Sequence, residues 1–260
     1  MVSQAGPTMS QAYIKTPEGR RLSLRCWWPG SVRAMVAFVH EPGSDGARYE
    51  GIALALATQG VASYVLDSGQ REQPSASRVR TPSLARRLAD IGSMTRYLRQ
   101  RHPMYPLFAF GHGTEALTIC FHAVLHPDEL HGVIGEAVSL DPPWKLAISR
   151  RYRWLAPALL SPRMALTRAD RRLRKAARGL SLPLLLLHGS EDTMAPPSGS
   201  EYLHRYVGSQ DKTLLVFEGS DHDLVNGPGH ARVRDKTSQW IEGQLAPGNR
   251  QCIGIEYINE

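Results

Sequence analysis

Few cysteines and no long apolar run are present, and these absences exclude several classes of protein. The three cysteines, Cys26, Cys120 and Cys252, are odd in number and widely spaced, which argues against a disulfide framework or a metal site and favours a reducing cytoplasm. No apolar stretch reaches the ~18 residues that a membrane span requires. Met1–Ser10 contains neither a basic nor an apolar region, so no secretory signal is expected. We therefore predict a cytoplasmic protein without a metal.

The composition is that of a globular protein, with an uneven distribution of charge. A chain of 260 residues, 42% of them hydrophobic, fits one large domain with a sizeable core. The formal net charge is +7, and the segment Lys145–Arg178 contains eleven Lys or Arg residues and one acid, Asp170. Such runs are most often solvated helix faces. Otherwise we expect this segment to meet an anionic substrate group or an acidic carrier protein rather than nucleic acid.

Buried strands alternate with helical segments along the chain. Near-continuous apolar runs at Ala34–Val39 and Val61–Leu66 predict strands that are covered on both faces. Similar runs follow at Pro106–Phe110, Pro183–His188 and Thr213–Phe217. Helices of ten or more residues between such strands predict βαβ units and a mostly parallel sheet. An early hairpin, with strands at Ala12–Lys15 and Leu22–Trp27, adds antiparallel edge strands.

The predicted domain organisation is a core with one insertion and a tail. Residues 1–141 and 181–250 form the α/β core, and residues 142–180 are too long for a loop and predict a short helical lid. The tail, 251–260, contains β-branched residues with partial alternation and predicts an extra strand. An exposed apolar strand needs a cover, and we favour a homodimer contact there.

Four local strings, each directly after a predicted strand, carry a family resemblance. They are Phe38–Gly43, Leu66–Gln70, the elbow-like Phe110–Ala116, and the pair Leu187–Asp192 and Gly219–Asp223. Their order of elbow, acid and histidine is specific. The sequence resembles the monoglyceride-lipase and lysophospholipase-like branch of the α/β-hydrolases over roughly residues 12 to 245. The resemblance implies the α/β-hydrolase fold, and the predicted lid implies an apolar substrate pocket beneath it.

At the elbow, the chain departs from the family pattern. Gly113 stands where the resemblance places the nucleophilic serine, and Thr114 follows it with the backbone N–H of an oxyanion donor. Thr114 as a displaced nucleophile is a minor alternative. Glu115 replaces the last glycine of the elbow, and Glu41 replaces the glycine after His40 in the oxyanion loop. Both carboxylates oppose a developing oxyanion, so we do not expect an ordinary serine esterase.

The remaining members of the family's triad are Asp192 and His222. A carboxylate beside an imidazole orients the ring and stabilises its charged form, so the pair can act as a general base without a nucleophile. Glu41 and Glu115 are candidates for a second proton carrier. The substrate-binding residues are expected to come from the histidines that flank the elbow and from the aromatic residues of the lid: His40, His112, Trp144, Tyr152 and Trp154.

Three functions remain open at this point. The first is an enzyme that uses His222 and Asp192 for cofactor-independent acid–base chemistry on a largely apolar carbonyl or acyl substrate, through proton abstraction, cyclisation, elimination or activation of water. The second is a non-catalytic pseudo-hydrolase that binds a ligand. The third is a conventional ester hydrolase whose nucleophile is displaced to Ser44, Ser68 or Ser190.

Overall fold

The computed structural model of the protein describes residues 7–41, 44–67, 83–139, 175–246 and 254–259. In these ranges the strands form a single sheet of nine strands, flanked by helices. The strands are β1 Thr8–Lys15, β2 Arg21–Trp28, β3 Ala34–Val39, β4 Val61–Asp67, β5 Leu107–His112, β6 Gly132–Glu136, β7 Leu184–Gly189, β8 Lys212–Phe217 and β9 Ile255–Ile258. The helices are α1 Glu50–Thr58, α2 Leu84–Arg101, α3 Thr114–Leu125, α4 Ser198–Tyr206 and α5 His230–Leu245.

The sheet is mostly parallel, as predicted. Its order is β1-β2-β4-β3-β5-β6-β7-β8-β9. Strands β3 to β9 pair in parallel, whereas β2 pairs antiparallel with both β1 and β4. This is the α/β-hydrolase architecture, with the hairpin at one end of the sheet.

Apolar residues on both faces of the central strands build two cores. In β3, Met35 and Ala37 pack into one cluster and Val36 and Phe38 into the other, because successive side chains point to opposite faces. All six residues of β3 are buried. Since a fully buried large apolar side chain contributes about 1.5–3 kcal/mol, this double burial explains why the strand reads as an unbroken apolar run.

The second helix, α2, shows how the sequence sets a helix boundary. Ser83 caps it by accepting the N–H of Arg86 at 3.3 Å. Its buried apolar residues, Ile91, Met94 and Leu98, recur at helical spacing and pack into the first cluster. Helix α2 thereby covers the sheet beside α3.

The tail contains a strand at the end of the sheet. Strand β9 pairs in parallel with β8, with Ile258 opposite Phe217. Ile258 is buried, whereas Ile255 and Tyr257 are exposed. The homodimer contact proposed for this strand stays a prediction.

The predicted lid lies outside the described residues except for 175–180, and so do Trp144, Tyr152 and Trp154. Within the described ranges, no helix is both long and apolar enough to cross a bilayer.

Parallel pairing places the chemically interesting residues at one edge of the sheet. His40 and Glu41 follow β3, Gly113 follows β5, Asp192 follows β7 and His222 follows β8. The carboxyl ends of parallel strands meet at the same edge, which is where sites form in open α/β sheets.

Candidate active site

A carboxylate–imidazole pair forms the centre of this edge. Asp192 accepts the N–H groups of Met194 at 2.9 Å and Ala195 at 2.8 Å through Oδ1, and its Oδ2 accepts Nδ1–H of His222 at 2.8 Å. The carboxylate of Asp192 is fully buried, whereas 17% of the His222 side chain is exposed. Burial alone would raise the pKa of Asp192, but the Ala195 N–H and His222 hold it below its ordinary value. Nδ1 therefore carries the proton, and Nε2 is left to exchange one.

A second histidine, His188, supports the same carboxylate from within the core. Its Nε2 donates to the carbonyl of Ala195 at 2.7 Å and lies 3.3 Å from Oδ2 of Asp192, while its Nδ1 accepts the hydroxyl of Ser200 at 2.6 Å. Burial lowers the pKa of His188, which favours the neutral ring that this pattern needs. The sequence alone does not indicate this role of His188, because its polar partners come from α4 and the loop before it.

Gly113 forms the sharp turn between β5 and α3. Its φ is 59° and its ψ is −121°, a conformation that glycine adopts without steric cost. Its N–H donates to the carbonyl of Glu136 at 2.9 Å. The carboxylate of Glu41 occupies the space next to the Gly113 Cα, because a Cβ added at position 113 would collide with its Oε1. No substitution with a side chain fits here unless Glu41 moves.

The carboxylate of Glu41 is held by the first residue of α3. Its Oε1 accepts the backbone N–H of Thr114 at 3.1 Å and the Thr114 hydroxyl at 3.2 Å. Helix N-termini favour negative charge, since their first N–H groups have no partner within the helix. Glu41 thus occupies the donor that the resemblance assigned to an oxyanion.

Glu115 faces α2. Its Oε1 is paired with Arg87 at 2.5 Å, and 2% of its side chain is exposed. Burial raises the pKa of Glu115, although the ion pair with Arg87 opposes that change. Arg87 also donates to Oγ1 of Thr114 at 3.4 Å. The pair joins α2 to the start of α3.

His112 supports the backbone of the dyad histidine. Its ring lies edge-on to that of His222, with centroids 4.6 Å apart, and its Nε2 lies 3.3 Å from the His222 carbonyl. Its Nδ1 lies 3.4 Å from Arg48, which is itself paired with Asp223 at 2.8 Å. Burial, together with the charges of Arg48 and His222, lowers the pKa of His112 to about 4. The neutral ring donates through Nε2 and accepts through Nδ1.

A buried carboxyl group lies under the loop that carries His222. Glu136 ends β6 with no exposed surface, and its Oε1 accepts the N–H of Val225 at 3.1 Å. Burial raises the pKa of Glu136 to about 8, although the charge of Arg48 opposes this. Sequence reasoning missed this residue, because an acid at the end of an apolar strand carries no family motif.

His40 and the candidate serines form hydrogen bonds with residues other than His222. His40 lies 3.4 Å from Asp67 through Nε2 and 3.0 Å from the hydroxyl of Ser44 through Nδ1. Ser44 also donates to the carbonyl of Glu41 at 2.8 Å, and Ser190 accepts the N–H of Gly219 at 3.0 Å. In the described ranges neither serine is hydrogen-bonded to His222, and Ser68 falls outside them.

The described residues contain no cluster of ligands that could hold a metal ion. What they assemble is a positioned imidazole, a carboxylate at a helix N-terminus and a glycine turn, all at one sheet edge. This equipment suits proton transfer and nucleophilic chemistry.

Sheet order, strand-to-helix turn and Asp–His pair together define an α/β-hydrolase. The Hydrolase_4 family model, described as serine aminopeptidase, S33, matches residues 30–165 and 160–229. The chain belongs to this family.

Curated relatives and solved structures agree with that assignment. The chain is 23% identical to a monoacylglycerol lipase of Mycolicibacterium smegmatis, over 87% of this chain and 95% of the relative. It is also 23% identical to the human monoglyceride lipase, over 85% and 86%. Among structures, the esterase domain of a Rhodothermus marinus protein superposes with a TM-score of 0.67 at 20% identity, covering 92% of this chain and 100% of that one. A monoacylglycerol lipase of Paleococcus ferrophilus gives 0.63 at 21% identity, covering 91% and 99%.

Proposed function

We propose that this protein is an enzyme that uses His222 and Asp192 for acid–base chemistry, with Gly113 in the position of the serine nucleophile and no cofactor. The observation that supports it most directly is the 2.8 Å hydrogen bond between the buried, doubly anchored Asp192 and the partly exposed His222. Such an arrangement fixes the tautomer of the imidazole and stabilises its protonated form.

In this proposal each residue has a defined task. Nε2 of His222 takes a proton from the substrate or from water, and Asp192 stabilises the imidazolium that results. His112 and His188 hold the two partners of the pair in place through their hydrogen bonds. The reactions that fit are proton abstraction, cyclisation, elimination and activation of water.

The substrate is proposed to be a largely apolar carbonyl or acyl compound. Two relatives are named monoacylglycerol lipase and monoglyceride lipase. Their names support a substrate in which an apolar chain carries an acyl group. The basic segment 145–178 is proposed to contact an anionic group or carrier. A cytoplasmic location, a lid and a homodimer remain proposals from the sequence.

Substitution of the dyad tests this function. On a panel of apolar esters, thioesters and ketones, we expect His222→Ala to reduce turnover by ~10²–10⁴-fold and Asp192→Asn to impair it severely, because the general base is lost or misoriented. The matched control is His126→Ala, at an exposed histidine after α3, which should leave turnover unchanged. Equal turnover with alanine at 222 contradicts the proposal.

A covalent serine probe separates the remaining alternatives. Fluorophosphonates label activated serines, and we expect no labelling of the wild-type protein. Stoichiometric labelling that depends on His222 would instead support a conventional hydrolase with a displaced nucleophile. Absence of turnover on every substrate, with ligand binding intact in both dyad variants, would support a pseudo-hydrolase.

A further inference from the structure

The first strand of the sheet has an open outer edge beside a polar groove. Strand β1 stands at the end of the sheet order, and no strand of the described ranges pairs with its outer side. The groove lies between Tyr13–Pro17 and the face of α2 that carries Arg96, Tyr97 and Gln100, and it holds about 450 Å³. This volume is within the range of ligand-binding sites.

Backbone groups of β1 face the open edge. Opposite residues of an antiparallel pair alternate between hydrogen-bonded and non-hydrogen-bonded positions. Thr16 donates its N–H to the carbonyl of Arg20 at 2.8 Å, and the next hydrogen-bonded position along β1 is therefore Ile14. Tyr13 and Lys15 consequently direct their N–H and C=O groups away from β2. Such groups can pair with an added extended chain.

Two cations of the groove have no ion pair with a described residue. Lys15 and Arg96 both line the groove with exposed side chains. The acids beside it are already paired, because Glu18 and Asp90 both contact Arg20, at 3.8 and 2.5 Å. The groove therefore combines positive charge with free backbone donors and acceptors, and it complements an extended chain that carries carboxylates.

We propose that the outer edge of β1 and this groove bind an extended acidic peptide segment, which adds a strand to the sheet. Main-chain hydrogen bonds to Tyr13 and Lys15 supply affinity, and carboxylates of the segment contact Lys15 and Arg96. The site shares no residue with the dyad, so the inference goes beyond the proposed function and does not depend on it.

A second copy of β1 complements the same edge less well. The strand Thr8–Lys15 contains no acid, so a paired copy brings another lysine and leaves Arg96 without a carboxylate. Arg21 adds a further cation on the outer side of the hairpin, where its guanidinium lies 3.7 Å from the ring centre of Tyr13. The charges around this edge therefore favour an acidic partner over self-association.

Fluorescence anisotropy tests the proposal, with a fluorescein-labelled hexapeptide of alternating glutamate and valine as the probe. We expect saturable binding that weakens as salt is added, because the cations are exposed. Lys15→Ala and Arg96→Ala should each weaken binding by about two- to fivefold, the usual effect of losing an exposed ion pair. The matched control is Arg86→Ala, which removes another exposed cation of α2 outside the groove and should leave binding unchanged.

Two further measurements separate strand addition from attraction of charge alone. A hexapeptide of the same sequence with methylated backbone nitrogens should bind about tenfold or more weakly, because it lacks the main-chain donors. With the unmodified peptide bound, hydrogen exchange followed by NMR should slow at the N–H groups of Tyr13 and Lys15. Exchange at Ile14 should not change, because its N–H already faces β2.

The outcomes that overturn the proposal are distinct. The first is absence of saturable binding, or equal binding of the methylated peptide. Equal binding of a uridylate oligonucleotide, with the same dependence on Lys15 and Arg96, would show a general anion surface. A dimer by light scattering, with Tyr13 and Lys15 protected from exchange before any peptide is added, would assign the edge to a second copy.

Discussion

Position 113 and position 41 depend on each other. Gly113 combines a φ of 59° with a neighbour, Oε1 of Glu41, that a Cβ would have to displace. A serine at 113 would meet both difficulties, the backbone strain of a positive φ and the carboxylate. Glycine at one position and glutamate at the other are therefore a matched combination.

A double-mutant cycle measures this dependence. We expect Gly113→Ser alone to lower the free energy of unfolding by about 1–3 kcal/mol, the usual size of such strain, and to resist fluorophosphonates. Glu41→Gly with Gly113→Ser should lose less than the sum of the single variants, with a coupling of about 0.5–3 kcal/mol. Urea unfolding of the four proteins gives the cycle, and additive losses would show that the positions are independent.

Asp192 and His222 could be predicted as a pair because each follows a recognisable buried strand and lies in a family-like string. Glu136 could not, for a physical reason. Its importance depends on which residues meet across the sheet, and it lies opposite His112 in the β5–β6 register. The register in which two distant segments pair cannot be predicted from the local periodicity of either segment.

Among the elements, strands were predicted best where both faces are covered. The apolar run Ala34–Val39 coincides with β3, because a strand buried on both faces has no polar alternation to obscure it. The first strand begins earlier than its pattern indicated, at Thr8 rather than Ala12, since β2 supplies partners as far as Trp28. Exposed β1 residues give little signal of their own.

Strand β9 offers a matched pair of isoleucines for an element-scale test. Ile258 is 8% exposed and packs into the second cluster, whereas Ile255 is 45% exposed. We expect Ile258→Ala to lower the free energy of unfolding by about 2 kcal/mol and Ile255→Ala to change it by less than about 0.5 kcal/mol. Urea unfolding distinguishes them. A halved mass by light scattering for Ile255→Ala would instead place this side chain in the predicted homodimer contact.

For the whole molecule, Glu136 links stability to pH. Its pKa rises from 4.5 to about 8 in the folded protein through burial. The native state therefore binds a proton that the unfolded chain has lost between these values, and this contribution falls as pH rises. It is complete below about pH 4.5 and is lost as pH passes the folded pKa of about 8.

The Glu136→Gln variant replaces the titrating carboxyl group with an amide, whose oxygen can still accept the N–H of Val225. We expect its free energy of unfolding, relative to the wild type, to increase steadily as pH rises through the window between the two pKa values. Denaturant unfolding at a series of pH values measures the difference. The exposed Glu218→Gln is the matched control, and parallel curves for the wild type and Glu136→Gln would contradict the prediction.

The long segment between β6 and β7 has a consequence for how the chain folds. Strands β6 and β7 are neighbours, yet residues 137–183 separate them in the sequence. During synthesis, Glu41 and Gly113 leave the ribosome before that segment, and Asp192 and His222 after it. Contacts between residues so far apart in the sequence form late. Until β7 is added, the free edge of β6 is unpaired, and such edges are prone to aggregation. The candidate active site is complete only when the last part of the sheet has docked.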